Sequence, residues 1–141
     1  MALIKMKITV CSSVINEGDP IPERSEESYE GYMKYSDRDG VERISYKSAQ
    51  DGAKTETLIE PRAGTVRLLR KGAIESEMLF EPGKAHSSLY RIPPFSFDMT
   101  VKTNRADCSL SPFGGEVLLE YEMTVGGAKK DCFMKIKAIP V

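Results

Sequence analysis

The sequence has few of the residues that most often build catalytic and metal centres. It contains one histidine, His86, three cysteines and no tryptophan among its 141 residues. A single histidine excludes a metal site built on two histidines and a relay between histidines. Cys11, Cys108 and Cys132 are odd in number and form no CxxC pair, so a zinc site and a full disulfide framework are both poorly supported. Reduced thiols of this kind are typical of a cytoplasmic protein.

Neither sign of charge dominates, and no long apolar run is present. The 20 Lys and Arg residues nearly balance the 21 Asp and Glu residues, whereas a nucleic-acid-binding surface needs an excess of basic side chains. No run approaches the ~20 apolar residues of a membrane span. Near the N-terminus, Ile4, Met6 and Ile8 alternate with Lys5 and Lys7, so the continuous apolar core of a secretion signal is missing. We expect no nucleic-acid partner, no membrane partner, no metal and no cofactor.

No segment keeps a helical period over three turns. Short runs of alternating apolar and polar residues are separated by turn signals, which recur roughly every 8–12 residues as in antiparallel sandwiches and barrels. The sequence therefore predicts one all-β domain over residues 1–141, a single antiparallel up-and-down β-barrel of about 8–10 strands that is lipocalin-like or calycin-like. A closed barrel is favoured because an open sheet of so many hairpin-linked strands would leave long exposed edges.

The same alternation predicts which side chains point inward. In the run from Ala73 to Phe80, the even positions face inward, while Glu75 and Glu77 face outward. The segment from Asp107 to Ser111 is predicted as a short strand of its own. The residues predicted inside the barrel are Ile74, Met78, Phe80, Phe97, Met99, Val117, Leu119 and Tyr121. Four large apolar residues fall on predicted outer faces instead, namely Leu69, Leu79, Leu118 and Phe133.

The polar segment from Asn16 to Glu27 is the longest predicted loop. It carries Pro20 and Pro22, neither of which can donate a hydrogen bond to a strand ladder. The segment is interpreted either as a solvated connection or as a lid across the mouth of the barrel.

The stretch 68–92 carries most of the unusual polar residues. Alternation places Arg70 on the inner face of one strand, and His86 and Tyr90 on the inner face of a later strand. Between these strands, the sequence Glu-Pro-Gly-Lys at 81–84 predicts a type II turn. His86 and Tyr90 lie roughly 13 Å apart along one strand, so they could line one cavity with Arg70 without touching each other.

Each of these polar side chains has a structural and a functional interpretation. Arg70 could reach water, pair with a carboxylate such as Glu75, or hold an anion with its planar guanidinium. A paired core network is the arrangement we expect for it, because an unpaired buried cation is costly. For His86 and Tyr90, a hydrogen-bonded network that sets strand register is favoured over contact with a ligand.

One motif in this stretch resembles a known family. It reads Arg70-x-Gly72, then Met78-x-Phe80-x-x-Gly83-x-x-His86-x-x-x-Tyr90, with weaker support from Gly114-Gly115 and from Glu120-Tyr121-Glu122. The chain resembles the uncharacterised bacterial YwiB family of small lipocalin-like, calycin-type β-barrels. That resemblance implies a barrel fold and no activity. After the tyrosine the family tends to carry a Thr-Pro-aromatic-Gly turn, whereas this chain has Ile92-Pro93-Pro94-Phe95, which changes the turn and removes the threonine hydroxyl.

The expected function is a noncatalytic cytoplasmic barrel that binds a small molecule, partly apolar or anionic. The candidate polar anchors are Arg70, His86 and Tyr90, and Ser76 and Ser88 leave space on the inner face. The alternative is a structural or interaction barrel with a fully packed interior, such as a homodimer formed through the outer apolar residues. An enzyme ranks third, because the sequence places no nucleophile, metal set or carboxylate pair.

Overall fold

The described part of the chain is a single closed sheet. A computed structural model describes residues 2–141, except for the side chain of Gln50. Its strands are β1 (Ala2–Asn16), β2 (Glu23–Ser36), β3 (Gly40–Gln50), β4 (Ala53–Arg62), β5 (Thr65–Gly72), β6 (Glu75–Phe80), β7 (Ala85–Ile92), β8 (Phe95–Ser111), β9 (Gly114–Val125) and β10 (Ala128–Pro140). Each strand pairs with its neighbours in sequence, and β1 pairs with β10, which closes the barrel. The predicted all-β class and antiparallel up-and-down barrel are confirmed, with ten strands. The lipocalin-like comparison stays a prediction.

Because consecutive strands run in opposite directions, successive turns lie at alternate ends of the barrel. The β1–β2, β3–β4, β5–β6, β7–β8 and β9–β10 turns lie at one end, which we call the mouth. The other four turns and the two ends of the described chain lie at the opposite end, which we call the base. Residues 2–141 contain no helix with the length and apolar character needed to cross a bilayer.

Apolar side chains fill the middle of the barrel. The largest fully buried ones are Phe80, Met6, Ile8, Met33, Ile44, Ile59, Leu68, Met99, Leu119 and Ile136. Six residues predicted inside are buried as expected, namely Met78, Phe80, Met99, Val117, Leu119 and Tyr121. The prediction for Phe97 was wrong, because Phe97 lies on β8 above the packed core at the mouth and is 41% exposed. Ile74 lies in the β5–β6 turn, where it is half-buried.

Strand β8 is longer than predicted. The segment from Asp107 to Ser111, predicted as a separate strand, is the last part of β8. The register with β9 shifts between Thr103 and Arg105, so that an extra residue changes which side chains point inward. This bulge explains the break in alternation that made one strand read as two.

The predicted long loop from Asn16 to Glu27 was also wrong. Only residues 17–22 lie outside strands, and β2 begins at Glu23. The prolines fall in the turn, and hydroxyl pairs link the two strands beyond the core, with Ser12 Oγ 2.6 Å from Ser25 Oγ. The segment therefore extends the barrel wall at the mouth as a polar hairpin, rather than crossing the mouth as a lid.

The four outward apolar residues form two separate pairs. Leu69 and Leu79 are diagonal neighbours on β5 and β6, and Leu118 and Phe133 are diagonal neighbours on β9 and β10. Strands β7 and β8 lie between the two pairs, and all four side chains are half-buried. The single apolar patch considered from the sequence is therefore not formed by these residues.

Candidate functional site

A cavity of about 650 Å³ opens at the mouth of the barrel. Its polar wall is continuous across β2 to β5 and carries Tyr29, Tyr46, Thr55, Thr57 and Arg70, and Asp51 of the β3–β4 turn also lines the cavity. Its apolar side chains come from the rest of the ring, namely Val10 on β1, Ile74 in the β5–β6 turn, Ile92 on β7 and Met134 on β10. The cavity therefore presents one polar side and one apolar side to a bound molecule.

Arg70 is the charged centre of the polar wall. It is half-buried on β5 and pairs in register with Thr57 on one side and Ser76 on the other. Within residues 2–141, no carboxylate lies within ion-pair distance of Arg70, whereas Arg67 on the outer face of β5 contacts both Glu60 and Glu77. The pairing of Arg70 with a carboxylate such as Glu75, and its place in a paired core network, are contradicted.

The β5–β6 turn holds Arg70 close to the neighbouring strand. Gly72 has a φ of 124°, and a Cβ atom at this position would lie 2.3 Å from the carbonyl oxygen of Lys54. The amide of Ala73 donates to the same oxygen at 2.9 Å. Only glycine permits this close approach, so the turn that follows Arg70 is fixed against β4.

Two tyrosines share the polar wall with Arg70. The rings of Tyr29 and Tyr46 stack with centroids 4.6 Å apart and an interplanar angle of 12°. Burial, reinforced by a hydrogen bond to Glu27, raises the pKa of Tyr29 to about 12. Burial also raises the pKa of Tyr46, while the charge of Arg70 acts in the opposite direction. Both phenols therefore stay neutral near pH 7, as hydroxyl groups beside a cation.

Ser76 and Tyr90 stand beside Arg70 on the inner face. In register, Arg70 on β5 pairs with Ser76 on β6, and Ser76 pairs with Tyr90 on β7. Ser76 is buried, and its Oγ has no hydrogen-bond partner in the described part of the chain. Tyr90 is half-buried and packs against the core. The structure therefore brings these three sequence candidates to one level near the mouth.

His86 and Ser88 lie elsewhere. His86 is the second residue after the β6–β7 turn at the base, and its Nε2 lies 3.0 Å from Glu81 Oε1. That contact is the main reason why the pKa of Glu81 is lowered. Ser88 donates to the carbonyl oxygen of Glu77 at 2.7 Å. The hypothesis that Arg70, His86 and Tyr90 line one cavity is therefore wrong for His86, because Arg70 lies near the turn at the opposite end. Tyr90 lies at the level of Arg70 but is not among the residues that line the mouth cavity.

The predicted type II turn explains why His86 is held at the base. The amide of Lys84 donates to the carbonyl oxygen of Glu81 at 3.0 Å, and Gly83 has a φ of 80°, as that turn requires. The turn presents Glu81 to the imidazole. The prediction of this turn is confirmed.

Sequence reasoning did not select Tyr29, Tyr46, Thr55 and Thr57 as site residues. A signal for three of them was present, since Tyr46 continues the inward series of Ile44, and Thr55 and Thr57 continue that of Ile59. Polar residues in an inward series close to a turn indicate a rim that ligands can reach.

No group of three His, Cys, Asp or Glu residues that could hold a metal ion occurs in the described ranges.

The tyrosines predict a loss of stability at alkaline pH. A phenol whose pKa is raised on folding keeps its proton in the folded state after the unfolded chain has lost it, so stability falls as pH rises above the ordinary value of about 10. For Tyr29 this loss of stability is complete near pH 12, where the phenol of the folded state also ionises. Burial raises the pKa of Tyr121 as well. Urea denaturation at a series of pH values from 8 upward should show the unfolding free energy declining above about pH 10.

The matched control for this prediction is Tyr121→Phe, which removes one buried phenol and should make the decline shallower. An unfolding free energy that stays level through the tyrosine range would contradict the burial of these hydroxyls.

Comparisons with known proteins agree with the observed fold. Residues 8–136 match the family described as "Domain of unknown function (DUF1934)". The chain belongs to this family. The crystal structure of ywiB protein from Bacillus subtilis matches it with a TM-score of 0.87 and 21% sequence identity, covering 99% of this chain and 93% of that one. At this identity the likeness shows the fold, and together the two matches confirm the YwiB-like resemblance read from the motif. Among curated proteins, no match was found.

Proposed function

We propose that the protein is a noncatalytic, cytoplasmic binding protein that holds a small, partly apolar anion in the mouth cavity, with Arg70 as the charged anchor. One observation carries this proposal. Arg70 is half-buried at a cavity of about 650 Å³, and the described residues place no carboxylate within ion-pair distance of it.

The charge of Arg70 sets the sign of the ligand. Removing a cation from water is costly unless it is paired, and a guanidinium offers a planar fork that suits a carboxylate or phosphate group. Tyr46 and Thr57, which line the cavity together with Arg70, supply neutral hydroxyl groups. These groups can complete the coordination of an anion without opposing its charge.

The apolar side of the cavity sets the rest of the ligand. Val10, Ile74, Ile92 and Met134 supply apolar side chains to the cavity lining. A volume of this size lies within the roughly 300–1,000 Å³ of ligand pockets, which are mainly apolar with a few placed polar groups. An arginine and neutral hydroxyls can bind and orient an anion, which supports binding rather than catalysis.

Ser76 and Tyr90 belong to the proposed site through their position beside Arg70, whereas His86 and Ser88 do not. The cytoplasmic location is supported by the three cysteines, all of which are free in the structure. Cys132 is buried and Cys108 is exposed, and neither faces the mouth cavity.

The test compares a charged ligand with a neutral one of the same shape. Decanoate and decanol are titrated into the protein at neutral pH and followed by tyrosine fluorescence, since the chain has six tyrosines and no tryptophan. Decanoate should bind with saturation and roughly tenfold or more tighter than decanol, the difference expected for hydrogen bonds to a charged group. Equal affinity of the two compounds, or no saturable response to either, would refute the proposal.

A further inference from the structure

The hairpin formed by β7 and β8 has two chemically different faces at the mouth. Tyr90 pairs with Phe97 and Ile92 pairs with Phe95, which places four apolar or aromatic side chains on the inner face. The outer face carries polar pairs, such as Arg91 opposite Ser96. A strand that alternates in this way normally packs its apolar face against other parts of the protein.

Here the inner face remains open to solvent. Ile92 is 44% exposed, Phe95 is 64% exposed and Phe97 is 41% exposed. Ile92 also lines the mouth cavity, so the apolar face continues the apolar side of the cavity beyond the rim. The two surfaces together form one continuous strip.

The hairpin is held in place by the neighbouring turn. The amide of Gly126, in the β9–β10 turn, donates to the carbonyl oxygen of Asp98 at 3.1 Å. A Cβ atom on Gly126 would lie 3.5 Å from the ring of Phe97. The apolar face therefore stands at a fixed position beside the cavity.

We infer that Ile92, Phe95 and Phe97 bind the apolar chain of an amphipathic anion whose charged group lies at Arg70. The inference rests on the proposed function and specifies its ligand class, a single-chain alkyl anion. Arg70, Ser76, Tyr90 and Phe97 lie at one level on four successive strands. Three spacings of roughly 4.8 Å put about 14 Å of curved wall between the first and the last. A ligand that follows the wall from one end to the other needs an extended chain of up to about that length.

Chain length is therefore the variable to test. Hexanoate, octanoate, decanoate and dodecanoate are titrated into the whole protein below their micellar concentrations. Each buried methylene should tighten binding about fourfold, and the gain should continue up to dodecanoate, because the hairpin extends the apolar surface beyond the cavity.

The variant is Phe95→Ser, and its matched control is Phe113→Ser. Both phenylalanines are exposed at turns, Phe95 at the mouth and Phe113, 89% exposed, at the base, so both variants should fold, as circular dichroism can verify. Phe95→Ser should weaken dodecanoate binding roughly tenfold while leaving hexanoate binding unchanged. Phe113→Ser should behave as the wild type.

The outcomes separate this inference from the proposed function. If the wild type binds carboxylates and Phe95→Ser keeps the same dependence on chain length, the inference fails and the proposed function stands. If the wild type binds no carboxylate, both fail. If sedimentation shows a dimer that Phe95→Ser dissociates without any change in carboxylate affinity, the apolar face is an interface between two copies and the inference is overturned.

Discussion

Replacing Arg70 by methionine should weaken decanoate binding by roughly 10–100-fold, the loss expected when a hydrogen bond to a charged group is removed. The free energy of unfolding should stay the same or rise, because the variant removes the desolvation cost of a half-buried guanidinium that has no ion-pair partner in the described residues. Calorimetric titration measures the first effect and urea denaturation the second.

Arg67→Met is the matched control for this substitution. Arg67 lies on the same strand but contacts Glu60 and Glu77 on the outer face, where ion pairs contribute about 0–1 kcal/mol. Its replacement should leave decanoate binding unchanged. A loss of about 3–5 kcal/mol in Arg70→Met would instead indicate a buried partner left unpaired. Unchanged binding in that variant would show that the cavity does not use Arg70.

Truncation of Phe80 to alanine should lower the free energy of unfolding by about 3–5 kcal/mol. Phe80 is fully buried on β6 and packs edge-on against Tyr121, with ring centroids 4.7 Å apart. The variant loses the burial of the ring and the aromatic contact, and it leaves a cavity between β6 and β9. Urea denaturation should show an earlier midpoint with an unchanged slope.

Phe113→Ala is the control for Phe80. Its ring is 89% exposed at the β8–β9 turn, so its truncation should change stability by no more than about 0.5 kcal/mol. Equal effects of the two variants would mean that the barrel interior is not packed around Phe80.

Much of the fold was predictable because each strand carries its own local signal. The alternation around Met78 and Phe80, together with the turn at residues 81–84, correctly indicated a hairpin with one buried face. Alternation specifies the face of a strand but not its height along the barrel. The prediction therefore gave the correct face for Phe97 but the wrong height along the barrel. Phe97 lies above the packed core and is 41% exposed.

The site was less predictable because it depends on contacts between distant strands. Arg70 could be selected as an inward cation on a strand, but its neighbours Tyr29 and Tyr46 come from β2 and β3, and only the ladder register brings them to the same wall. His86 has the same inward parity as Tyr90, yet it lies at the opposite end of β7, next to the β6–β7 turn at the base. Parity alone does not distinguish the two ends of a barrel.

Methionine methyl NMR tests the central claim, that the mouth cavity binds an amphipathic anion, most directly. Met134 lines the cavity, whereas Met6 and Met33 are fully buried in the core. With ¹³C-methyl methionine, addition of decanoate should shift the Met134 resonance with saturation while the Met6 and Met33 resonances stay in place, and Arg70→Met should remove the shift at the same decanoate concentrations. A Met134 resonance that does not move at saturating decanoate, or that moves equally with and without Arg70, would contradict the account.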